Sequence, residues 1–166
     1  GLLADCPRLI ITRTLSKSYG LAGLRVGYAL GDSGLIEVLN KAREVYNVDR
    51  LAQAAAIASI RDQSYFRDTT EKIKSTRKNT LDDFRSRNWK TYESATNFLF
   101  TEPRTMSGEV GLEVAENLFC HLMQNGILVR HFPNHSLTSS FLRISIGRDD
   151  EMIILKEALS KWKTHE

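Results

Sequence analysis

Cysteine is scarce in this 166-residue chain, with Cys6 and Cys120 as the whole complement. Two cysteines so far apart make neither a metal-ligand spacing nor a disulfide framework, which predicts two reduced, mostly buried thiols in a cytoplasmic protein. No apolar stretch approaches the length that spans a bilayer, and no signal-peptide pattern opens the chain, so a membrane role has no support. Basic residues are present, with a net charge of +3, but Lys, Arg, Asp and Glu alternate along the chain. Without a basic run interleaved with aromatics, a nucleic-acid partner is not expected. Internal repeats and low-complexity tracts are also missing. What remains is ordinary for a folded chain, 42% hydrophobic and 26% charged, enough for one domain or two small lobes. The chain opens on Gly1 rather than Met and runs almost at once into an apolar segment, which suggests a piece of something longer.

The apolar, β-branched run Leu9 to Thr14 predicts a short buried strand, and Val26 to Leu30 a second one after a polar, glycine-bearing turn. Apolar positions at helical spacing predict a helix over 35–45. After Asn47 and Asp49, a second helix over 51–60 is apolar on nearly all sides, and so is expected to be buried. Residues 65–87 read as a long charged helix with a narrow stripe of Phe66, Ile73, Leu81 and Phe84, able to connect two lobes. A strand over 95–101, a helix over 108–125, strands over 127–131 and 141–146, and a helix over 149–163 then make a small α+β lobe. Asn125-Gly126 is the expected left-handed stop of the first of these helices. Asp149, Asp150 and Glu151 suit the N-terminus of the last, whose buried face is Met152, Leu155, Leu159 and Trp162. The β-turn-β-α-α segment before the long helix has too few strands to complete a layer, which implies a missing partner.

The most specific run is Thr14-Leu15-Ser16-Lys17-Ser18-Tyr19-Gly20-Leu21-Ala22-Gly23-Leu24-Arg25-Val26-Gly27-Tyr28. A lysine just after a buried strand can lose its proton more easily and attack an aldehyde. Thr14 and Ser16 add hydroxyl donors, and Arg25 adds a planar fork of donors suited to a phosphate. Lysine for an aldehyde, with hydroxyls and a guanidinium for a phosphate, fits pyridoxal 5'-phosphate. A bare Ser-Lys pair, however, more often marks a glycine-rich loop with a solvated lysine and a structural arginine. The Gly-Lys-Ser/Thr of a nucleotide-binding phosphate loop is absent. Arg143, in Phe141-Leu142-Arg143-Ile144-Ser145-Ile146-Gly147, falls between apolar neighbours, where a charge needs a partner; an internal salt bridge answers that need equally well. His131 and His135 read as polar loop residues with no metal-binding spacing, and Tyr19 and Tyr28 as packing residues.

The run from Thr14 to Tyr28 resembles, position for position, the cofactor-lysine signature of the class II aminotransferases of fold type I, and within them the histidinol-phosphate aminotransferases. The resemblance covers essentially the whole chain. It implies an α/β fold: the end of a large cofactor-binding domain over 1–77 and a small α+β domain over 78–166. It implies that Lys17 carries pyridoxal phosphate covalently and acts as the acid–base group, and that Thr14, Ser16 and Arg25 hold the cofactor phosphate. Arg143 matches the family's carboxylate-gripping arginine. Arg130, in Gly126-Ile127-Leu128-Val129-Arg130, matches the arginine that faces a phosphate on the substrate, with a strand-edge charge as the plain alternative. Asn97, in Ser94-Ala95-Thr96-Asn97-Phe98, matches a positioning residue, with a buried structural amide as its alternative.

The implied activity is a pyridoxal-phosphate-dependent transamination of histidinol phosphate with 2-oxoglutarate, in a cytoplasmic homodimer. Other aminotransferases and a phosphothreonine decarboxylase share the scaffold, and a non-catalytic fragment is the reading of a different class. The family also needs an aspartate against the pyridine nitrogen, a tyrosine near the ring oxygen and an aromatic stacked on the ring, all before the lysine. Only Asp5 among the preceding carboxylates falls there, outside any matching motif, so this chain by itself is expected to form an incomplete site.

Overall fold

The structure, a computed structural model, describes residues 1–162. The chain divides into two compact units, Gly1–Thr70 and the part from Glu71 onward. The division falls inside one long helix, so each unit takes one end of it.

In the first unit a short helix α1 (Leu2–Asp5) leads to β1 (Ile10–Thr14), which pairs antiparallel with β2 (Gly27–Gly31). Ile10 faces Gly31 and Thr14 faces Gly27, so the two strands form a closed two-stranded ribbon. Gly27 is required there, because a Cβ at this position would come within 2.7 Å of the Arg13 carbonyl oxygen. Two helices follow, α2 (Ser33–Ala42) and α3 (Arg50–Arg61). Each starts on a capping aspartate: Asp32 accepts from Gly34 N at 2.8 Å and Asp49 from Ala52 N at 2.9 Å, satisfying free donors of the first turn. Helix α4 (Gln63–Ser86) begins in this unit.

Two expectations about this unit fail. Strand β1 is mostly exposed rather than buried. Helix α3 buries only Ala52 and Ala56, while Leu51 is 80% exposed and Ile57 and Ile60 also face outward. Apolar composition states what a face can pack against; no element of this unit covers these faces. Cys6 is likewise exposed and Cys120 half-buried, so neither thiol is enclosed as expected.

The second unit is a four-stranded antiparallel sheet in the order β3-β4-β6-β5, formed by Lys90–Thr91, Phe98–Glu102, Leu142–Ser145 and Arg130–His131. Helices α5 (Leu112–Gln124) and α6 (Asp149–Lys161) complete it. Alternation along β4 and β6 sends Leu99, Leu142 and Ile144 to one face. There they join Phe84, Trp89, Leu118, Leu122, Met152, Leu155 and Leu159 in one buried cluster. Each large side chain so enclosed stabilises the unit by roughly 1.5–3 kcal/mol. The face of α6 is the one expected, with Trp162 packed at its edge; the predicted helix end at Lys163 lies outside the described residues. At the start of α6, Glu151 accepts from the Arg148 backbone N–H at 2.8 Å.

Helices α4 and α5 stop in the same way. Asn88 (φ 60°) and Gly126 (φ 74°) are left-handed. Trp89 N donates to Phe84 O at 3.1 Å and Ile127 N to Leu122 O at 2.9 Å, each with the companion bond one residue inside. These are Schellman stops, and the Phe84 and Trp89 rings, 5.2 Å apart, supply the apolar contact that accompanies one.

Strand β3 is absent from the sequence reading, because two residues leave no alternating pattern to detect. The strand expected over 127–131 shrinks to Arg130–His131. Ile127 belongs to the helix stop, and Leu128 points outward at 84% exposure.

Candidate active site

Four of the expected site residues, Thr14, Ser16, Lys17 and Arg25, lie in the first unit, and three, Asn97, Arg130 and Arg143, in the second.

The lysine loop joins β1 to β2 at the Thr14–Gly27 end of the ribbon. Leu15, 1% exposed, is its anchor. Leu15 donates its N–H to Val26 O and accepts at its carbonyl from Leu21 N, both at 3.1 Å. With Leu15 turned inward, Thr14 and Ser16 emerge beside one another: Thr14 Oγ1 donates to Ser16 Oγ at 2.8 Å and accepts from Ser16 N at 3.1 Å. A turn closed from Gly20 N to Lys17 O at 3.1 Å holds the lysine backbone, and Gly20 supplies the positive φ of 69° that ends the turn. Tyr19 stacks on Phe66 of α4 with ring centroids 4.6 Å apart, so this tyrosine is a packing residue, as its sequence context indicates.

Arg25 takes the left-handed conformation (φ 54°), uncommon for a side chain of its size. Its Nη1 donates to Ala22 O at 3.0 Å, which leaves the rest of the guanidinium fork open. From Thr14 to Tyr28 the chain has two cations and no carboxylate. Two adjacent hydroxyls, an open guanidinium and no competing acid are a donor set that fits a phosphate group. The Lys17 side chain is exposed, not enclosed as its place after a strand implied; the strand before it is itself uncovered.

In the second unit Arg130 and Arg143 are directly opposite one another across β5 and β6. Both are exposed. The expectation that Arg143 is enclosed between Leu142 and Ile144 is corrected by strand alternation: those two point to the core and Arg143 to the other face. No carboxylate lies within ion-pair distance of either arginine among the described residues, so the internal salt bridge falls away as well. Their partners are aromatic. The Arg143 guanidinium carbon lies 5.4 Å from the centre of the Phe98 ring, and that of Arg130 5.4 Å from Phe132. On the same face Phe100 and Phe141 stack with centroids 4.8 Å apart, and Lys90 caps Phe141 at 5.6 Å.

Asn97 occupies the bend before β4 and is half-buried, not the enclosed amide of the structural alternative. Its backbone carbonyl accepts from Ile146 N at 2.9 Å, next to the end of the arginine strand. His131 departs from its reading as a plain loop residue. It is half-buried, its Nε2 lies 2.7 Å from Ser139 O, and its ring packs on Phe119. His135 is exposed. The residues missed by sequence reasoning are Phe98 and Phe132; the spacing of Phe132 two positions after Arg130 on a strand was the available signal.

A lysine on a pinned turn beside a phosphate-type donor set, and a second unit with an open arginine strand, point to one class of protein. Residues 1–159 match the model of aminotransferase class I and II, and the chain belongs to that family. Among individual proteins, the chain is 42% identical over 161 residues to histidinol-phosphate aminotransferase 2 of Thiobacillus denitrificans, covering 95% of this chain and 43% of that protein. It is 38% identical over 168 residues to a histidinol-phosphate aminotransferase of Clostridium botulinum, covering 97% of this chain and 45% of that protein. The solved structure of histidinol-phosphate aminotransferase from Sinorhizobium meliloti in complex with pyridoxal-5'-phosphate superposes with a TM-score of 0.81 at 34% identity, over 93% of this chain and 41% of that one. The mixed α/β architecture is therefore that of fold type I aminotransferases, and the chain spans less than half the length of these relatives.

Proposed function

We propose that this chain is the C-terminal part of a pyridoxal-phosphate-dependent histidinol-phosphate aminotransferase, a cytoplasmic homodimer that moves an amino group from histidinol phosphate to 2-oxoglutarate. Residues 1–77 would belong to its cofactor-binding domain and 78–166 to its small domain. The observation that carries the reading is the exposed, acid-free pair Arg130 and Arg143, opposite one another on one sheet face. A second fixed cation beside the carboxylate-binding one is what a phosphorylated amino donor calls for.

Thr14, Ser16 and Arg25 would bind the cofactor phosphate, and Lys17 Nζ would hold the cofactor covalently in the absence of substrate. Pyridoxal phosphate, when bound, supplies an electron sink that makes the hydrogen on the substrate's amine-bearing carbon removable. The freed Lys17 Nζ would then take that proton and return one on the other side of the transfer, from a backbone held on a short, pinned turn. Arg143 orients the carboxylate of glutamate or 2-oxoglutarate. With histidinol phosphate, which has no carboxylate, both arginines face the phosphate. Asn97 positions from its bend beside the arginine strand. Fixing the substrate in this way contributes through orientation, on the order of ~7 kcal/mol of barrier at best.

The test is made in the full-length protein. Borohydride reduction should fix the cofactor on Lys17, and the assignment fails if peptide mapping finds it on another lysine. Arg130→Ala should raise KM for histidinol phosphate by about 10- to 100-fold, the size of a lost charge-assisted hydrogen bond, and that for glutamate much less. Equal loss for both donors would favour an aminotransferase without a phosphate-bearing substrate.

A further inference from the structure

Two guanidiniums face each other across β5 and β6 with no acid within ion-pair distance of either among the described residues. Like charges directly opposite on an antiparallel pair work against the pairing, and two long, flexible side chains have every reason to swing apart into water. What holds them is a ring. Phe132 comes two residues after Arg130, just past the end of β5, and the strand's alternation returns it to the same face. Its centroid is 5.4 Å from the Arg130 guanidinium carbon and 5.9 Å from that of Arg143. Both distances are within the range in which the negative face of an aromatic ring attracts a cation. Phe98 contacts only Arg143, so Phe132 is the ring that both cations share. It is half-buried, which keeps the ring itself from drifting.

We infer that Phe132 is a positioning residue for the anion site formed by Arg130 and Arg143. Its ring holds both guanidiniums on one face, close enough for a single doubly charged phosphate to engage both and spread enough that they need not be neutralised beforehand. An aliphatic side chain would fill the same space but offer no quadrupole. Part of the ordering that a phosphate would otherwise have to impose is therefore already present in the free protein. This rests on the substrate reading above.

The test compares wild type, Phe132→Leu, Phe132→Tyr, Arg130→Ala and Arg143→Ala of the full-length, cofactor-loaded protein. Inorganic phosphate is titrated in while the side-chain Nε–H resonances of the remaining arginines are followed. Phe132→Leu should weaken phosphate binding about three- to tenfold, the scale of a cation–π contact made twice, and Phe132→Tyr should stay within about twofold of wild type. In the full-length protein Phe132→Leu should raise KM for the phosphorylated donor and leave kcat within about twofold, a split that simple loss of folding does not give. Wild-type phosphate affinity in Phe132→Leu would overturn the inference, as would Phe132→Tyr binding as poorly as Phe132→Leu. If neither arginine variant loses phosphate affinity, the substrate reading falls instead; if they lose it and Phe132→Leu does not, only the role of Phe132 falls.

Discussion

Of the sixteen buried hydrophobic side chains other than proline among the described residues, three (Leu15, Ala52 and Ala56) belong to Gly1–Thr70 and thirteen to the unit that follows. The first unit holds its lysine by local means: a ribbon, a pinned turn and one inward leucine. The second holds its arginines by long-range strand pairing over a closed core. The contrast separates two ways of placing a functional group. One is written in a contiguous run of residues and survives with little packing around it; the other depends on strands more than forty positions apart, such as Leu99 opposite Ile144. Exposed Leu30, Val38, Leu51 and Ile57 in the first unit make the kind of apolar face that soluble monomers usually cover.

The largest expected effect strikes the packed unit. Phe84→Ala should cost about 3–5 kcal/mol in urea unfolding followed by tryptophan fluorescence. Its counterpart, Ile57→Ala, on a side chain 52% exposed, should stay within about 0.5 kcal/mol. Similar losses for both would break the comparison. Next comes a function carried by the sparsely packed unit: in the full-length protein, Arg25→Ala should weaken cofactor retention by about 1.5–3 kcal/mol, measured by equilibrium dialysis of the cofactor. Unchanged retention would return Arg25 to a structural turn residue. Smaller again, Gly126→Ala should destabilise the second unit by roughly 1–2 kcal/mol, because a β-carbon strains its left-handed backbone; no change in the unfolding midpoint would mean that the stop does not hold α5.

The smallest effect is in acid. The guanidinium of Arg148 donates to Asp150 and holds its carboxyl below the ordinary 3.8. A group lowered on folding adds stability above its unfolded value and loses it as pH falls through the folded one. Asp150→Asn should therefore lower stability slightly at neutral pH and flatten the dependence below about pH 4. The pair is fully exposed, so the difference is expected to be small and to vanish in high salt. A steeper acid dependence in the variant would contradict the pairing.

Much of this is legible in the residues alone, and what is not has definite causes. Contiguous chemistry reads well: the lysine run, the break at Asn47 and Asp49 before α3, the glycine at 126. The faces of α6 and α4 follow from their spacing. Burial of β1 and α3 does not follow, because an apolar face says nothing of whether a neighbour is present to cover it. Arg143 was misplaced for a different reason. Hydrophobic neighbours on both sides suggested enclosure, whereas on a strand such neighbours point the opposite way, and the period of two already carried the answer. Phe132 is half legible: its place two positions after Arg130 puts it on that residue's face, but Arg143 is eleven positions away and only the strand register brings them together.

The paired helix stops at Asn88 and Gly126 have a kinetic consequence. Each closes over five residues, from Phe84 to Trp89 and from Leu122 to Ile127, and contacts that local form on the microsecond scale of helices and tight loops. Pairing of β4 with β6 must close a far longer loop at a much higher entropic cost. The two stops thus turn the chain toward its strands before those strands meet, and they shorten the search that pairing requires. Gly126→Ala is accordingly expected to slow refolding in stopped flow as well as shift the equilibrium; a variant that only unfolds faster would place the stop after the rate-limiting step.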